Sequence, residues 1–325
     1  MYKDSGKSGG KHAKGVLHFI GMHAIIWKVT YGYMKSGAWW QEGGTGMVVS
    51  VKRYPMMSRK LTGMLLALLM LLFGAIVIGQ GLYFPQLSEN GLRRKNGATV
   101  DVGHADQGYI QVQYRAGSKR IKVRISRDDH AYTYDLNQQG EFEVFPLQMG
   151  SGNYQVKVYE QVRGTKYAAV SSVSFRADME NDMLPYLYPN QYVSFEPDSP
   201  LVAKAQSLCD GASGDREKAQ RIEEYVSKHF MYDYIKSLML TGSTTYLPDL
   251  DEVFSVQKGI CFDLASLVCA MLRSQGVPTQ LVFGYADECY HAWNMAYVDG
   301  QWQRIDVTAT VTGTLIRQYR AERQY

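Results

Sequence analysis

The sequence predicts an α+β chain: one transmembrane helix, a small all-β sandwich domain, and a C-terminal region in which helices are followed by short strands. Three observations predict it. An uncharged apolar run occupies residues 61–78, and period-two alternation dominates residues 98–177. Beyond a proline-rich break, a helical period gives way to three short strands. At 325 residues the chain has room for about two domains of ~100–200 residues each and needs no staples.

Composition narrows the class. With 46% hydrophobic and 20% charged residues and only 9 Pro, the chain is neither disordered throughout, collagen-like nor a multi-span membrane protein. The net charge of +4 averages two unlike parts: residues 1–60 carry ten Lys/Arg and two acids, and the remainder is slightly acidic. Nucleic-acid binding needs its basic groups clustered on the folded part, so no nucleic-acid partner is expected.

The basic N-terminus leads into the membrane element. Residues 1–57 show no sustained period, and no fold is assigned to them. Met56-Met57-Ser58-Arg59-Lys60 has the form of a secretory start, with translation expected to begin at Met56 or Met57. Leu61 to Ser88 contains no charged side chain, and a helix over this run crosses the ~30 Å hydrocarbon layer at ~1.5 Å per residue. Residues 58–84 are thus read as an uncleaved anchor, with a cleaved signal peptide or a buried core helix as alternatives. No A-x-A-like cleavage site comes after it, which favours the anchor. Arg59 and Lys60 precede the run and the next basic residue is Arg93, which places the N-terminus inside and the later domains outside. The expected location is the cell membrane, single-pass, or secretion if the segment is removed.

After a linker at Ser88–Gly97, alternation marks strands at Tyr109–Tyr114, Ile121–Ile125, Tyr132–Tyr134, Phe142–Val144 and Tyr154–Tyr159. Residues 98–177 therefore form a small β domain whose pattern resembles an immunoglobulin-like sandwich, suited to spacing or recognition. His104 and His130 are read as surface residues.

Pro185, Pro189, Pro197 and Pro200 mark the boundary to a second domain, 185–325. Asp215–Phe230 repeats Ala219, Ile222, Val226 and Phe230 at helical steps, with Ser213 or Asp215 as N-cap and His229 near the C-terminal dipole. The segment from Cys261 then places Leu264, Leu267, Val268, Met271 and Leu272 on one stripe and stops at Gly276. Cys261 stands in the first turn, where unpaired N–H groups and the positive end of the dipole stabilise a thiolate. Gly259 permits a sharp turn before it.

An isolated cysteine at a helix start is most often a small core hydrophobe. The strands downstream of Cys261 make this one different. Strands at Leu281–Phe283, His291–Val298 and Gln301–Val307 are joined, for the last two, by the tight turn Asp299-Gly300. Pairing Val298 with Gln301 sets Trp293 opposite Asp306 and makes His291 the diagonal neighbour of Asp306, ~7–8 Å between Cβ atoms or less. Cys261, His291 and Asp306 thus supply nucleophile, general base and orienting acid.

These residues resemble the transglutaminase-like superfamily, specifically its bacterial cysteine protease group. The matching pieces are Gly259-x-Cys261-x-Asp263, Gly276-Val277-Pro278, Tyr290-His291-Ala292-Trp293-Asn294 and Trp302-x-x-x-Asp306-x-Thr308. The resemblance covers about residues 185–325 and implies a papain-like/transglutaminase-like core, a helix bearing Cys261 packed on an antiparallel sheet that carries His291 and Asp306, and acyl transfer through a thioester. It implies no cofactor and no metal. Asp306-Val307-Thr308 departs from the family's usual Asp-Pro-Thr at a strand end. The Cys261 N–H is one expected oxyanion donor, with Gln257 and Tyr246 as candidates for the second. Trp293 and Tyr290 are candidates for the substrate face, although Trp293 is also suited to packing the sheet. Cys269 is expected in the core, and Cys289 is a structural thiol or the partner of Cys209 or Cys261 in a disulfide. Three functions remain open: a peptidase or amidase acting on peptide or cell-envelope amides, an amine-accepting cross-linker, and a non-catalytic envelope-binding module.

Overall fold

A computed structural model of the chain describes residues 82–325. The extension 1–57 and residues 58–81 of the expected anchor lie outside these residues, and Leu82–Phe84 have no regular structure. Among the described residues no helix is long and apolar enough to cross a membrane.

The first lobe contains strands β1 (Leu92–Lys95), β2 (Ala98–Asp101), β3 (Tyr109–Gln113), β4 (Ile121–Arg127), β5 (His130–Leu136), β6 (Glu143–Pro146), β7 (Gly152–Arg163) and β8 (Lys166–Ala177). They form two antiparallel sheets with orders β1-β2-β3-β6 and β5-β4-β7-β8. Alternation turns Ile121, Val123 and Ile125 of β4 and Tyr154, Val156 and Val158 of β7 inward, where they share one core with Val100, Ile110, Val112 and Phe145 of the other sheet. A sheet with one apolar face is stable only when that face is covered, and here each sheet covers the other.

The stretch expected as a linker is structured. Glu89–Gly91 form a 3-10 turn, and Asn96-Gly97, at φ 51° and 80°, folds β1 tightly onto β2. The Asn-Gly turn signal was present in the sequence. Arg93, Arg94 and Lys95 on the exposed edge strand β1 carry no alternation to accompany it. Strand β8 likewise lacks a clean period and is specified by its pairing along β7.

The second lobe contains helices α1 (Pro200–Cys209), α2 (Asp215–His229), α3 (Tyr234–Met239), α4 (Leu250–Val256), α5 (Cys261–Arg273) and α6 (Val307–Thr312). Its sheet has the order β13-β12-β11-β14, built from β11 (Thr279–Ala286), β12 (Cys289–Val298), β13 (Gln301–Ile305) and β14 (Tyr319–Gln324). A separate parallel pair joins β9 (Met231–Tyr232) to β10 (Lys258–Gly259). The N-cap of α2 is Gly214, without a side-chain cap; Ser213 instead donates through its N–H and hydroxyl to Glu217, each at 2.8 Å.

Helix α5 is the axis of this lobe. The expected stripe Leu264, Leu267, Val268, Met271 and Leu272 is fully buried, but so is the rest of the helix from Asp263 to Arg273. Small residues Ala265, Ser266, Cys269 and Ala270 on the other faces let neighbours approach, with the sheet on one side and α1, α2, α4 and α6 around the others. Burying each large apolar side chain of the stripe contributes roughly 1.5–3 kcal/mol.

At the end of α5, the fully buried Arg273 guanidinium donates to the carbonyls of Thr279 (2.9 Å), Tyr188 (2.7 Å) and Tyr325 (2.7 Å). The Tyr325 ring lies in the sandwich core, 4.5 Å from Tyr192 and 5.6 Å from Tyr132 between centroids. Arg273 thereby joins the cysteine-bearing helix, the sheet and the β lobe.

Candidate active site

The chain reaches Cys261 through a sharp reversal. Gln257 ends α4 in the left-handed region at φ 53°, after which β10 pairs with β9 and α5 begins at Cys261. Gly259 is required here: a Cβ added to it would lie 2.6 Å from the Cβ of Asp263. Asp263 is fully buried, and its Oδ2 accepts the Ile260 N–H at 2.9 Å, capping the helix one residue before the cysteine. Lys236 Nζ lies 2.7 Å from the same oxygen, and the Tyr246 hydroxyl donates to Oδ1. The N-terminal end of α5 is thus held by a buried carboxylate with three partners.

His291 lies on β12, and its register is set by the turn. Asp299 and Gly300, at φ 52° and 77°, close a two-residue hairpin that pairs Val298 with Gln301 and Asn294 with Ile305. The expected register is observed, but β13 stops at Ile305 rather than Val307. Asp306 leaves the sheet to cap α6, its Oδ1 accepting the Ala309 N–H at 3.0 Å. A capping aspartate satisfies an orphan donor of the next helix, and that preference ends the strand early. Asp306 Oδ2 meets His291 Nε2 at 2.9 Å and accepts from the Tyr319 hydroxyl at 2.8 Å.

The electrostatics are a consequence of this arrangement. Burial by itself pushes the His291 imidazole down, but hydrogen bonds with Asp306 and Cys261 and their charges outweigh it, raising its pKa to about 9. Burial pushes Asp306 up, and the His291 interaction, the Ala309 N–H and the Tyr319 hydroxyl together bring its carboxyl below the usual range. The structure therefore brings His291 and Asp306 together, with Nε2 of the imidazole committed to the carboxylate, and places Cys261 near enough to help raise the imidazole pKa. Such a set can deprotonate a thiol, hold a thiolate–imidazolium pair and return a proton to a leaving group.

The remaining candidates fall in different places. Trp293 is buried, its ring stacked on His291 at 6.1 Å and edge-on to Tyr319 at 5.1 Å, so it supports the imidazole from behind and does not open onto a substrate face. Tyr290 is exposed, beside Tyr285. The Tyr246 hydroxyl is spent on Asp263, whose neighbourhood, after burial, raises its pKa well above the usual tyrosine range. Gln257 is exposed at the end of α4. All four cysteines are free, so neither expected disulfide of Cys289 is formed. Cys269 is in the core, donating to the Thr279 carbonyl at 3.2 Å, and burial pushes its thiol up to about 11.

Two residues around the site were not singled out from the sequence. Asn294 donates to the Ala265 carbonyl at 2.9 Å and so binds the histidine strand to the cysteine helix. It closes the Tyr290–Asn294 block, which was its available signal. Tyr319 comes from β14, a mostly polar edge strand without alternation, and had none. Among the described residues no group of three or more His, Cys, Asp or Glu is placed to hold a metal.

Among known proteins, the second lobe has a family match. Residues 202–307 match the family model described as "Transglutaminase-like superfamily", about a third of the chain. A search of curated proteins finds no match. Among solved structures, a candidate cysteine protease from Cytophaga hutchinsonii is 14% identical, with a TM-score of 0.35 over 67% of this chain and 91% of that one. The periplasmic domain of TgpA from Pseudomonas aeruginosa is 14% identical, with a TM-score of 0.33 over 70% of this chain and 77% of that one. A transglutaminase from red sea bream is 12% identical, with a TM-score of 0.25 over 62% and 48%.

Proposed function

We propose that the chain, whose residues 202–307 match the transglutaminase-like superfamily, is a cysteine acyl-transfer enzyme, a peptidase or amidase acting on peptide or cell-envelope amides. The observation that carries this reading is His291, bonded to Asp306 at 2.9 Å and interacting with Cys261 at the start of its helix. The Cys261 thiolate attacks the acyl carbonyl, and the imidazolium protonates the departing amine as the C–N bond breaks. A thioester on Cys261 remains. His291 then takes a proton from water, whose oxygen attacks the thioester and releases the acid and the thiol. The Cys261 N–H faces the developing oxyanion. Gln257 is the open candidate for the second donor, because the Tyr246 hydroxyl is already engaged.

The apolar run 61–78, preceded by Arg59 and Lys60, supports single-pass anchoring with the catalytic lobe on the outer side, whereas Tyr83 and Phe84 pack against Tyr188 and Phe195 of the folded part. In that setting the β lobe, with its immunoglobulin-like pattern, serves as spacer or recognition module.

Labelling with a thiol-directed electrophile tests the reading. Rapid modification at neutral pH that is lost in Cys261→Ala supports it. A rate that rises like that of an ordinary thiol until ~pH 8.5 favours a non-catalytic module. Incorporation of a primary amine into a glutamine peptide would show that amine, not water, is the second substrate. A cytoplasmic signal from a C-terminal reporter fusion would refute the topology.

A further inference from the structure

Helix α3 has no buried residue. A helix in a folded lobe ordinarily buries one face, yet Tyr234, Ile235, Leu238 and Met239 are 68, 66, 78 and 80% exposed, and Met231 just before them is 63% exposed. Polar contacts hold it in place. Asp233 donates its N–H to the Gly259 carbonyl at 2.9 Å, and its carboxylate caps α3 and lies 3.2 Å from Lys258 Nζ. Lys236 reaches Asp263 at 2.7 Å, its ammonium 4.8 Å above the Tyr246 ring. Lys258, Gly259 and Asp263 flank Cys261, so the apolar ridge is fixed relative to the sulfur.

Leaving several large apolar side chains in water forgoes roughly 1.5–3 kcal/mol each, and a contiguous exposed patch of this kind marks a contact surface. Continuity and charge identify its occupant. The segment that carries the ridge is tied to the one that presents the nucleophile, by the pairing of β9 with β10 and by the Asp233 N–H on the Gly259 carbonyl, so a peptide extending from Cys261 has this ridge as its adjacent apolar surface. Both lysines of this segment are already paired with Asp233 and Asp263, which leaves apolar contact as its means of recognition. A bilayer fits less well: Leu82 and Tyr83, leading back to the apolar run, line a cavity with Ser274, Gln275 and Gly276 beyond the other end of α5. That end is about 20 Å from Cys261 at ~1.5 Å per residue.

Resting on the acyl-transfer reading above, we infer that α3 is the specificity wall of the site and selects a peptide acyl donor with apolar residues next to the reacting carbonyl. Only the acyl portion stays attached through both half-reactions, so a wall fixed to the cysteine helix acts on that portion throughout.

Two tripeptide vinyl sulfones that differ only in carrying two leucines or two serines test this on the full chain, with mass spectrometry reading modification of Cys261. The leucine probe is expected to react about tenfold faster, the scale of discrimination by apolar pockets. In the triple variant Ile235→Ser, Leu238→Ser, Met239→Ser the preference is expected to vanish, while the rate with iodoacetamide is unchanged. Equal rates for the two probes on the unmodified chain, or a preference retained by the triple variant, would overturn the inference and leave the enzymatic reading intact. A Cys261 that fails to react selectively with iodoacetamide would overturn both.

Discussion

Replacing Asp306 by Asn removes the strongest influence that keeps His291 charged while leaving the side chain nearly the same size. In the unaltered chain burial, which lowers the imidazole, is overridden by Asp306 and Cys261 to give about 9. With the carboxylate gone, burial is opposed by Cys261 alone, and the pKa should fall by about one to two units, roughly 1.4–3 kcal/mol of lost imidazolium stabilisation. The assay is the alkaline limb of kcat/KM against pH, which reports the acid of the free enzyme. It should lie near 9 in the unaltered chain and move down by that amount in Asp306→Asn. The rate at neutral pH should fall further, because the amide holds the wrong tautomer; comparable triads lose on the order of 10⁴. Stability gives an independent check. The His291 pKa is raised on folding, so its contribution is complete below the unfolded value of ~6.5 and is lost as pH rises through about 9. Asp306 is depressed on folding, so its side of the same interaction is present above ~3.9 and is lost at lower pH. The gap in Tm between unaltered and Asp306→Asn chains should therefore be widest near about pH 5–6 and close above about pH 9. An alkaline limb that moves by less than about half a unit, or a Tm gap that does not change with pH, would refute the reasoning.

Three further outcomes are expected from the same contacts. Tyr319→Phe removes a donor to Asp306, so the acid limb of the pH profile should move upward while the fold stays intact by circular dichroism. Gly259→Ala places a methyl against Asp263; overpacking of this kind costs about 1–3 kcal/mol, and denaturant titration together with Cys261 labelling should show losses in both stability and reactivity. Arg273→Leu leaves three carbonyls of Thr279, Tyr188 and Tyr325 without their donor. A loss on the order of 3–5 kcal/mol is expected, read as a lower urea midpoint, whereas a loss below about 1 kcal/mol would mean that water replaces the guanidinium.

Local patterns made much of this protein legible. Alternation located β3 to β7, because alternate side chains of these strands enter the core shared by the two sheets; Asp299-Gly300 set the hairpin register; the apolar stripe after Cys261 located α5. That register brought the chain near His291, and the turn of Asp306 into its capping position completed the contact. Where local signals were weak or compensated, the sequence was silent or misleading. Polar edge strands β1 and β14 lack a period, and Asp306 reads as a strand residue although its capping of α6 stops β13.

The kinds of element, their turns and the approach of His291 to Asp306 are short-range consequences of side-chain periodicity and backbone preference, and the amino-acid order alone determined them. The tertiary structure decided which distant groups meet: Tyr319 on Asp306, Lys236 and Tyr246 on Asp263, and Arg273 on three carbonyls from separate segments. Such contacts arise because a buried polar group must find a partner wherever packing brings one, and packing is a property of the whole lobe rather than of any stretch of chain.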